Sequence, residues 1–285
     1  MRSDSCGTRR FADFRKPEVR AFFTQKVTDR ISQLGIGYLK TDYNENIGIG
    51  CDGAESLGEG LRSHMLAVKE CYGALRNMPD LVLEICSAGG MRIETGFMRI
   101  ADQFSCSDTH ECDEGGIVAA NMQRFLHPAK SQIWAVARAD DSPERLAHTL
   151  SKTFLGRMCL SGDIDSLNAR LSELVKSAVD FYRLAAPVIA RGDSYWFKEG
   201  LRDFRHMDGA FAVVRRGDNG QTLVVINAYN RKEYSVSHPA LSGSIEATFG
   251  CGRERFELKG DTLKAGNLAP VRAGVAVLIR RDCGR

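Results

Sequence analysis

No stretch of eighteen apolar residues occurs in this sequence, so nothing in it reads as a membrane-spanning helix. Nor is there a block of five like charges. Lys and Arg number 39 against 36 Asp and Glu, a net charge of +3 spread along the chain, without the basic face that a nucleic-acid partner requires. The opening residues, MRSDSCGTRRFADF, lack the apolar core of a secretory signal. The nine cysteines, at 6, 51, 71, 86, 106, 112, 159, 251 and 283, contain no CxxC pair and are odd in number. That pattern argues against a disulfide framework and for free thiols in the cytoplasm. Internal repeats and low-complexity tracts are also absent.

What is present is a chain of 285 residues, enough for about two domains at the usual ~150 residues each and for a sizeable core without staples. A hydrophobic content of 43% beside 26% charged residues is that of an ordinary globular protein. From Pro17 to about Gly200, short apolar runs alternate with longer amphipathic stretches, as in a parallel α/β sheet. The runs IGYLKTD (36–42), DLVLEIC (80–86), QFSCSD (103–108), SQIWAVA (131–137) and RMCLSGD (157–163) predict strands. Helices are expected from Pro17 to Leu34, with Gly35 as the cap, and near 55–77, 143–156 and 165–190. After Gly200 the runs GAFAVVRR, TLVVINAY, SIEATFG and AGVAVLIRR carry no helical period, which predicts an all-β tail. The boundary expected is therefore residues 1–199 for the α/β part and 200–285 for the β domain. Five βα strands are too few to close an eight-stranded barrel of about 250 residues, so the α/β part reads either as an open sheet or as the later part of a barrel.

Ligands gather at the C-terminal ends of parallel strands, and three of those ends are polar. The first is Lys40-Thr41-Asp42-Tyr43-Asn44, where alternation puts Lys40, Asp42 and Asn44 on one face. The second runs from Glu84 through Cys86 and Ser87 into Ala88-Gly89-Gly90, small residues that let backbone approach a ligand. The third is Ser105-Cys106-Ser107-Asp108-Thr109-His110. Two carboxylates across a pocket are the minimum for glycoside hydrolysis, and Asp42 and Asp108 are the candidates. Taken singly, an Asp at a strand end is more often a turn former or helix cap.

The runs PEVRAFFTQKVTDRISQLGIGYLKTDYN, EICSAGGMRIE and CSDTHE together resemble the α-galactosidases of glycoside hydrolase family 36, the melibiase group, over roughly residues 10–190. The resemblance implies a (β/α)8 (TIM) barrel lacking its first strands, followed by an antiparallel β-sandwich domain. KTDYN stands where the family has KWDMN, which makes Asp42 the implied nucleophile and Lys40 and Asn44 its sugar-contacting neighbours. Glu84 to Glu94 matches the family's ESCSGGGGRFD without gaps, so Cys86, Ser87, Gly89 and Gly90 resemble its contacts to galactose. Ser107-Asp108 matches the segment WTSDDTDA and makes Asp108 the implied general acid/base. The departures are Thr41 for Trp, Tyr43 for Met, Ala88 for Gly, and a replaced second Asp near His110 and Glu111. The implied activity is retaining hydrolysis of terminal α-galactosides such as melibiose and raffinose. It needs no metal or organic cofactor, its partner is a small oligosaccharide, and a homo-oligomer is compatible with it. α-N-acetylgalactosaminidase or transglycosylase chemistry on the same carboxylates is the second reading, and a non-catalytic sugar-binding remnant is the third. The absent front strands imply that the chain expressed alone is poorly soluble and inactive.

Four other signals compete with this reading. Gly48 to Gly53 fits G-x-G-x-x-G, but Asp42, Glu45, Asp52 and Glu55 around it would repel a pyrophosphate. Cys106, Asp108, His110 and Cys112 alternate as a metal site might, yet an unbent strand spaces such ligands ~6.5 to 7 Å apart. Trp134 is a candidate for stacking on a sugar, or for packing, and Asp163 reads first as a helix N-cap.

Overall fold

The computed structural model describes residues 11–44, 47, 50–109 and 113–282. The chain divides into two compact units, the first ending at Ser105 and the second beginning at Cys106.

The first unit runs α1 (Pro17–Leu34), β1 (Tyr38–Asp42), α2 (Leu57–Arg76), β2 (Val82–Cys86), α3 (Thr95–Met98) and β3 (Gln103–Ser105). Pro17 sits in the first turn of α1, where no N–H is needed, and the Gly35 N–H closes the helix on Ile31 O. At the start of α2 the Ser56 side chain accepts from the Glu59 N–H. β1 pairs parallel with β2 so that Lys40 lies opposite Glu84 and Asp42 opposite Cys86. β2 in turn pairs parallel with β3, with Glu84 opposite Gln103. Leu83, Ile85 and Phe104 are fully buried on one face of these strands. The other face carries Tyr38, Lys40 and Asp42, then Glu84 and Cys86, then Gln103 and Ser105.

In the second unit α4 (Gly115–Met122), β4 (Ser131–Ala137), α5 (Pro143–Ser151), β5 (Arg157–Gly162) and α6 (Ala169–Arg191) precede eight further strands. These are β6 (Asp193–Glu199), β7 (Gly209–Arg216), β8 (Gln221–Tyr229), β9 (Glu233–Ser237), β10 (Gly243–Phe249), β11 (Arg255–Lys259), β12 (Thr262–Gly266) and β13 (Arg272–Arg281). β4 and β5 pair parallel. The later strands form an antiparallel sheet in the order β10-β13-β8-β7-β6 and a smaller one in the order β11-β12-β9. Val224, Ile226, Val275 and Val277 face the small sheet and pack with Val236 and Leu263. Leu223, Val225, Ala276 and Leu278 face the other way and pack with Leu146, Leu150 and Phe181 of the helices. The five-stranded sheet is thus covered on both faces, which explains why β8 is buried at every position. Close approach of α5 to β13 depends on Gly274, where a Cβ would lie 2.1 Å from Ser151 Oγ and 2.5 Å from His148 Cα.

Each expected strand has a counterpart, and the four expected helices are α1, α2, α5 with the 3-10 turn Lys152–Leu155 that extends it, and α6. Four details differ. The antiparallel pairing begins at Asp193, in β6, ahead of the boundary expected at residue 200, because Asp193 to Glu199 pair in register with Arg216 to Ala210. The strand expected over 103–108 stops at Ser105. Helices α3 and α4 have no counterpart among the expected helices. Among the described residues neither unit by itself holds more than three parallel strands, so a closed eight-stranded barrel is not seen within either. Among the described residues no helix is long and apolar enough to cross a membrane.

Candidate active site

Asp42 is the last residue of β1 and is exposed, in register with the buried Cys86 at the end of β2. Two residues earlier on the same face, the Lys40 ammonium lies 3.3 Å from Glu84 Oε1 and donates to Ser105 Oγ at 3.2 Å. The strand-end face of the first unit therefore places a carboxylate, a thiol and an ammonium side by side, as the alternation in YLKTD requires. Behind it, burial pushes the Tyr72 phenol up against the opposing pull of a hydrogen bond with Thr41, and the negative charge of Asp42 adds to the rise. Tyr43 turns to the opposite side. The Arg92 guanidinium lies 4.0 Å from its ring centroid and donates from Nε to Tyr43 O at 3.1 Å. Burial lifts the Tyr43 phenol to about 12 and lowers the Arg92 guanidinium.

The segment after β2 is a tight turn. Asn44 Oδ1 accepts from the Ala88 N–H at 2.6 Å, Ser87 Oγ donates to Tyr43 O, and Ser87 N–H donates to Gly89 O at 3.1 Å. Asn44 and Ser87, expected as sugar contacts, thus have their oxygens engaged in fixing the loop. Ala88 holds φ 41° and Gly89 φ 73°, a region that costs an L side chain roughly 1–2 kcal/mol. Ala88→Gly, which restores the residue of the family motif, is expected to stabilise the protein by about 0.5–1 kcal/mol. Urea unfolding checks this: the midpoint should rise at constant slope, and an equal or lower midpoint would contradict the strained turn.

In the second unit Cys106 N–H donates to Gln132 O at 2.9 Å, and the chain then bends. Ser107 Oγ accepts from the Thr109 N–H at 3.1 Å and bonds the Thr109 hydroxyl, which turns the backbone out of the extended form and leaves Asp108 exposed at the tip. Below the bend is a small cavity lined by Cys106, Ser107, Thr109, Gly115, Trp134 and Lys152. Trp134 is half-buried there, and burial pushes the Cys106 thiol up to about 11.

The bend removes the continuing strand on which an alternating metal site would rest. His110 and Cys112 lie outside the described residues, as do Gly48, Ile49 and Glu45 of the glycine-rich loop. Among the described residues no group of three metal-ligating side chains is found. Asp163 holds the N-cap position of the short 3-10 helix Ile164–Ser166, with its carbonyl accepting from the Ser166 N–H at 3.0 Å, but its side chain makes no capping bond there. That side chain instead accepts from the Ala139 N–H at 3.3 Å and pairs with Arg138 at 3.5 Å, and the longer helix α6 is capped by Asn168. Sequence reasoning missed Glu84, Tyr38, Gln103 and Ser105 as a group. The signal was available in the polar residues at matching steps of three adjacent strands.

The family model described as Melibiase matches residues 2–192. A probable alpha-galactosidase G of Aspergillus terreus is 30% identical over 98 residues, which are 34% of this chain and 13% of that protein. The glycoside hydrolase family 36 α-galactosidase AgaA of Geobacillus stearothermophilus is similar in structure, with a TM-score of 0.73 at 16% identity, covering 94% of this chain and 39% of that one. The α-galactosidase of Lactobacillus brevis has a TM-score of 0.72 at 16% identity, with 96% and 40% covered. Variants of the Geobacillus enzyme have been solved with raffinose and with stachyose. The chain spans about two fifths of the length of these solved relatives.

Proposed function

The chain belongs to the melibiase family, and from that premise we propose that it carries the nucleophile and the acid/base of a retaining α-galactosidase. The observation that carries the reading is the strand-end row in which Asp42 stands opposite Cys86, one step beyond the Lys40 and Glu84 pair. Asp42 attacks the anomeric carbon as the glycosidic C–O bond breaks, giving a galactosyl ester. Asp108 gives its proton to the departing oxygen, then takes one from the water that hydrolyses the ester, so each carboxyl ends as it began. Such chemistry asks two carboxyls to work about 5–5.5 Å apart. Lys40, Cys86 and the backbone at Gly89 and Gly90 contact the galactose hydroxyls, while Asn44 and Ser87 hold the loop that presents that backbone. The raffinose and stachyose complexes of the Geobacillus enzyme support α-galactosyl oligosaccharides as the substrate class. The antiparallel sheets serve as an accessory β domain. The six described cysteines are free thiols, four of them buried, as suits a reducing cytoplasm.

The role of Asp108 is tested by substrates that differ in leaving group. In protein that turns over both, Asp108→Ala should cost melibiose hydrolysis about 10²-fold or more and nitrophenyl galactoside hydrolysis much less, because a nitrophenolate leaves without protonation. Equal losses on the two substrates would remove Asp108 from that role.

A further inference from the structure

Glu84 lies at the middle of β2 and is only 1% exposed, yet both of its carboxylate oxygens are fully engaged. Oε1 accepts from Ser105 Oγ at 2.6 Å and lies 3.3 Å from the Lys40 ammonium. Oε2 accepts from the Tyr38 hydroxyl and from Gln103 Nε2 at 3.1 Å. The donors are themselves linked. Gln103 Nε2 donates to Tyr38 OH at 2.5 Å, and Lys40 Nζ donates to Ser105 Oγ at 3.2 Å. Two triangles of hydrogen bonds therefore share one carboxylate, and each oxygen is held from two directions. Two members of this group reach out: the Lys40 side chain is 32% exposed and Tyr38 43%, against 1% for Glu84, so the ammonium and the phenol stand where the buried carboxylate meets the open Asp42 face.

A buried ion pair is poor value as a stabiliser, since apolar residues of the same volume commonly serve as well or better. Leu83 and Ile85, the strand neighbours of Glu84, supply the packing on the opposite face. What a fully satisfied buried carboxylate offers instead is a fixed direction for the cation it holds. We infer that Glu84 is a positioning residue, whose carboxylate, clamped by Tyr38, Gln103 and Ser105, fixes the Lys40 ammonium beside Asp42 for contact with a sugar hydroxyl. The consequence for sugar binding rests on the reading of Asp42 and Lys40 above; the clamp itself does not.

Two measurements separate these. The first needs no sugar: the full chain is treated with a limiting amine-acetylating reagent, and modification at Lys40 is followed by peptide mass spectrometry against the exposed Lys16 and Lys26. Glu84→Gln should raise the Lys40 rate about fivefold or more relative to the two controls, the scale of losing one hydrogen bond to a charged group. An unchanged ratio would overturn the clamp. Because an unfolded Glu84→Gln protein would also expose Lys40, its folding is checked by circular dichroism, and where it has not folded Ser105→Ala decides. It keeps the carboxylate but removes the hydroxyl shared with Lys40, and it should raise the Lys40 ratio alone; no rise would overturn the inference.

The second measurement is galactose affinity in a double-variant cycle. Glu84→Gln should weaken binding about tenfold, and in a Lys40→Met background it should cost nothing further, because its effect passes through the ammonium. A loss that simply adds to that of Lys40→Met would show Glu84 to be structural. A parent protein that binds no galactose would instead refute the sugar site, leaving the acetylation ratio to judge the clamp.

Discussion

In protein that turns over α-galactosides, Asp42→Ala is expected to lower the rate by roughly 10⁴-fold or more, since the variant has no carboxylate to form the covalent ester. The truncation leaves space next to the anomeric carbon that a small anion fills. Added azide should therefore restore part of the rate on a nitrophenyl α-galactoside and release a galactosyl azide of β configuration, inverted because a single displacement replaces two. Polarimetry or NMR of the product checks the configuration. A variant with near-normal turnover would exclude Asp42 as the nucleophile, whatever the fate of Asp108.

The largest effect on stability is expected at Gly274. A Cβ at this position meets Ser151 Oγ at 2.1 Å and the backbone of His148 at 2.5 Å, and neither partner is a side-chain tip that can swing away freely. Ser151 Oγ is tied to His148 O at 2.9 Å and to Asn227 Nδ2 at 3.2 Å. Gly274→Val should thus force α5 from β13 and cost about 3 kcal/mol or more, at the upper end of overpacking effects. Gly266, in β12, is the control: the nearest atom to a Cβ there is Arg255 O at 3.9 Å, so Gly266→Val should shift the urea midpoint little. Equal midpoints for the two variants would mean that the helix is not seated on the sheet as described.

Much of this was legible from side-chain period alone. YLKTD alternates cleanly and ends on Asp42, so a strand presenting Lys40 and Asp42 on one face followed directly, and the observed register with β2 agrees. Pro17 and Gly35 marked the ends of α1 because each acts on its own backbone. Asp108 was harder. The run QFSCSD continues the alternation, but Ser107 takes the Thr109 N–H with its own side chain, and that local bond ends the strand at Ser105. Helix α4 opens on Gly115 and Gly116, residues of low intrinsic helix propensity. Gly116 is instead required by packing, since a Cβ there would lie 2.1 Å from Asn227 Oδ1, more than a hundred residues away in sequence. The role of Glu84 likewise depends on residues distant in sequence, and reading it takes the polar steps of three strands together. Within LVLEIC it is a charge in an apolar run, and its meaning appears only when β1 and β3 bring Lys40, Tyr38, Gln103 and Ser105 around it.

The central claim is that Asp42 forms a covalent bond to galactose. Incubation with a fluorinated galactosyl fluoride, which forms the ester quickly and hydrolyses slowly, followed by peptide mapping, tests it directly. The account predicts one added fluorogalactosyl mass on the peptide that contains Tyr38 to Asp42, located at Asp42 by fragmentation and absent from the Asp42→Ala protein. A label on Asp108 or on any other carboxylate, or an unlabelled Asp42 in protein that consumes the reagent, would contradict it.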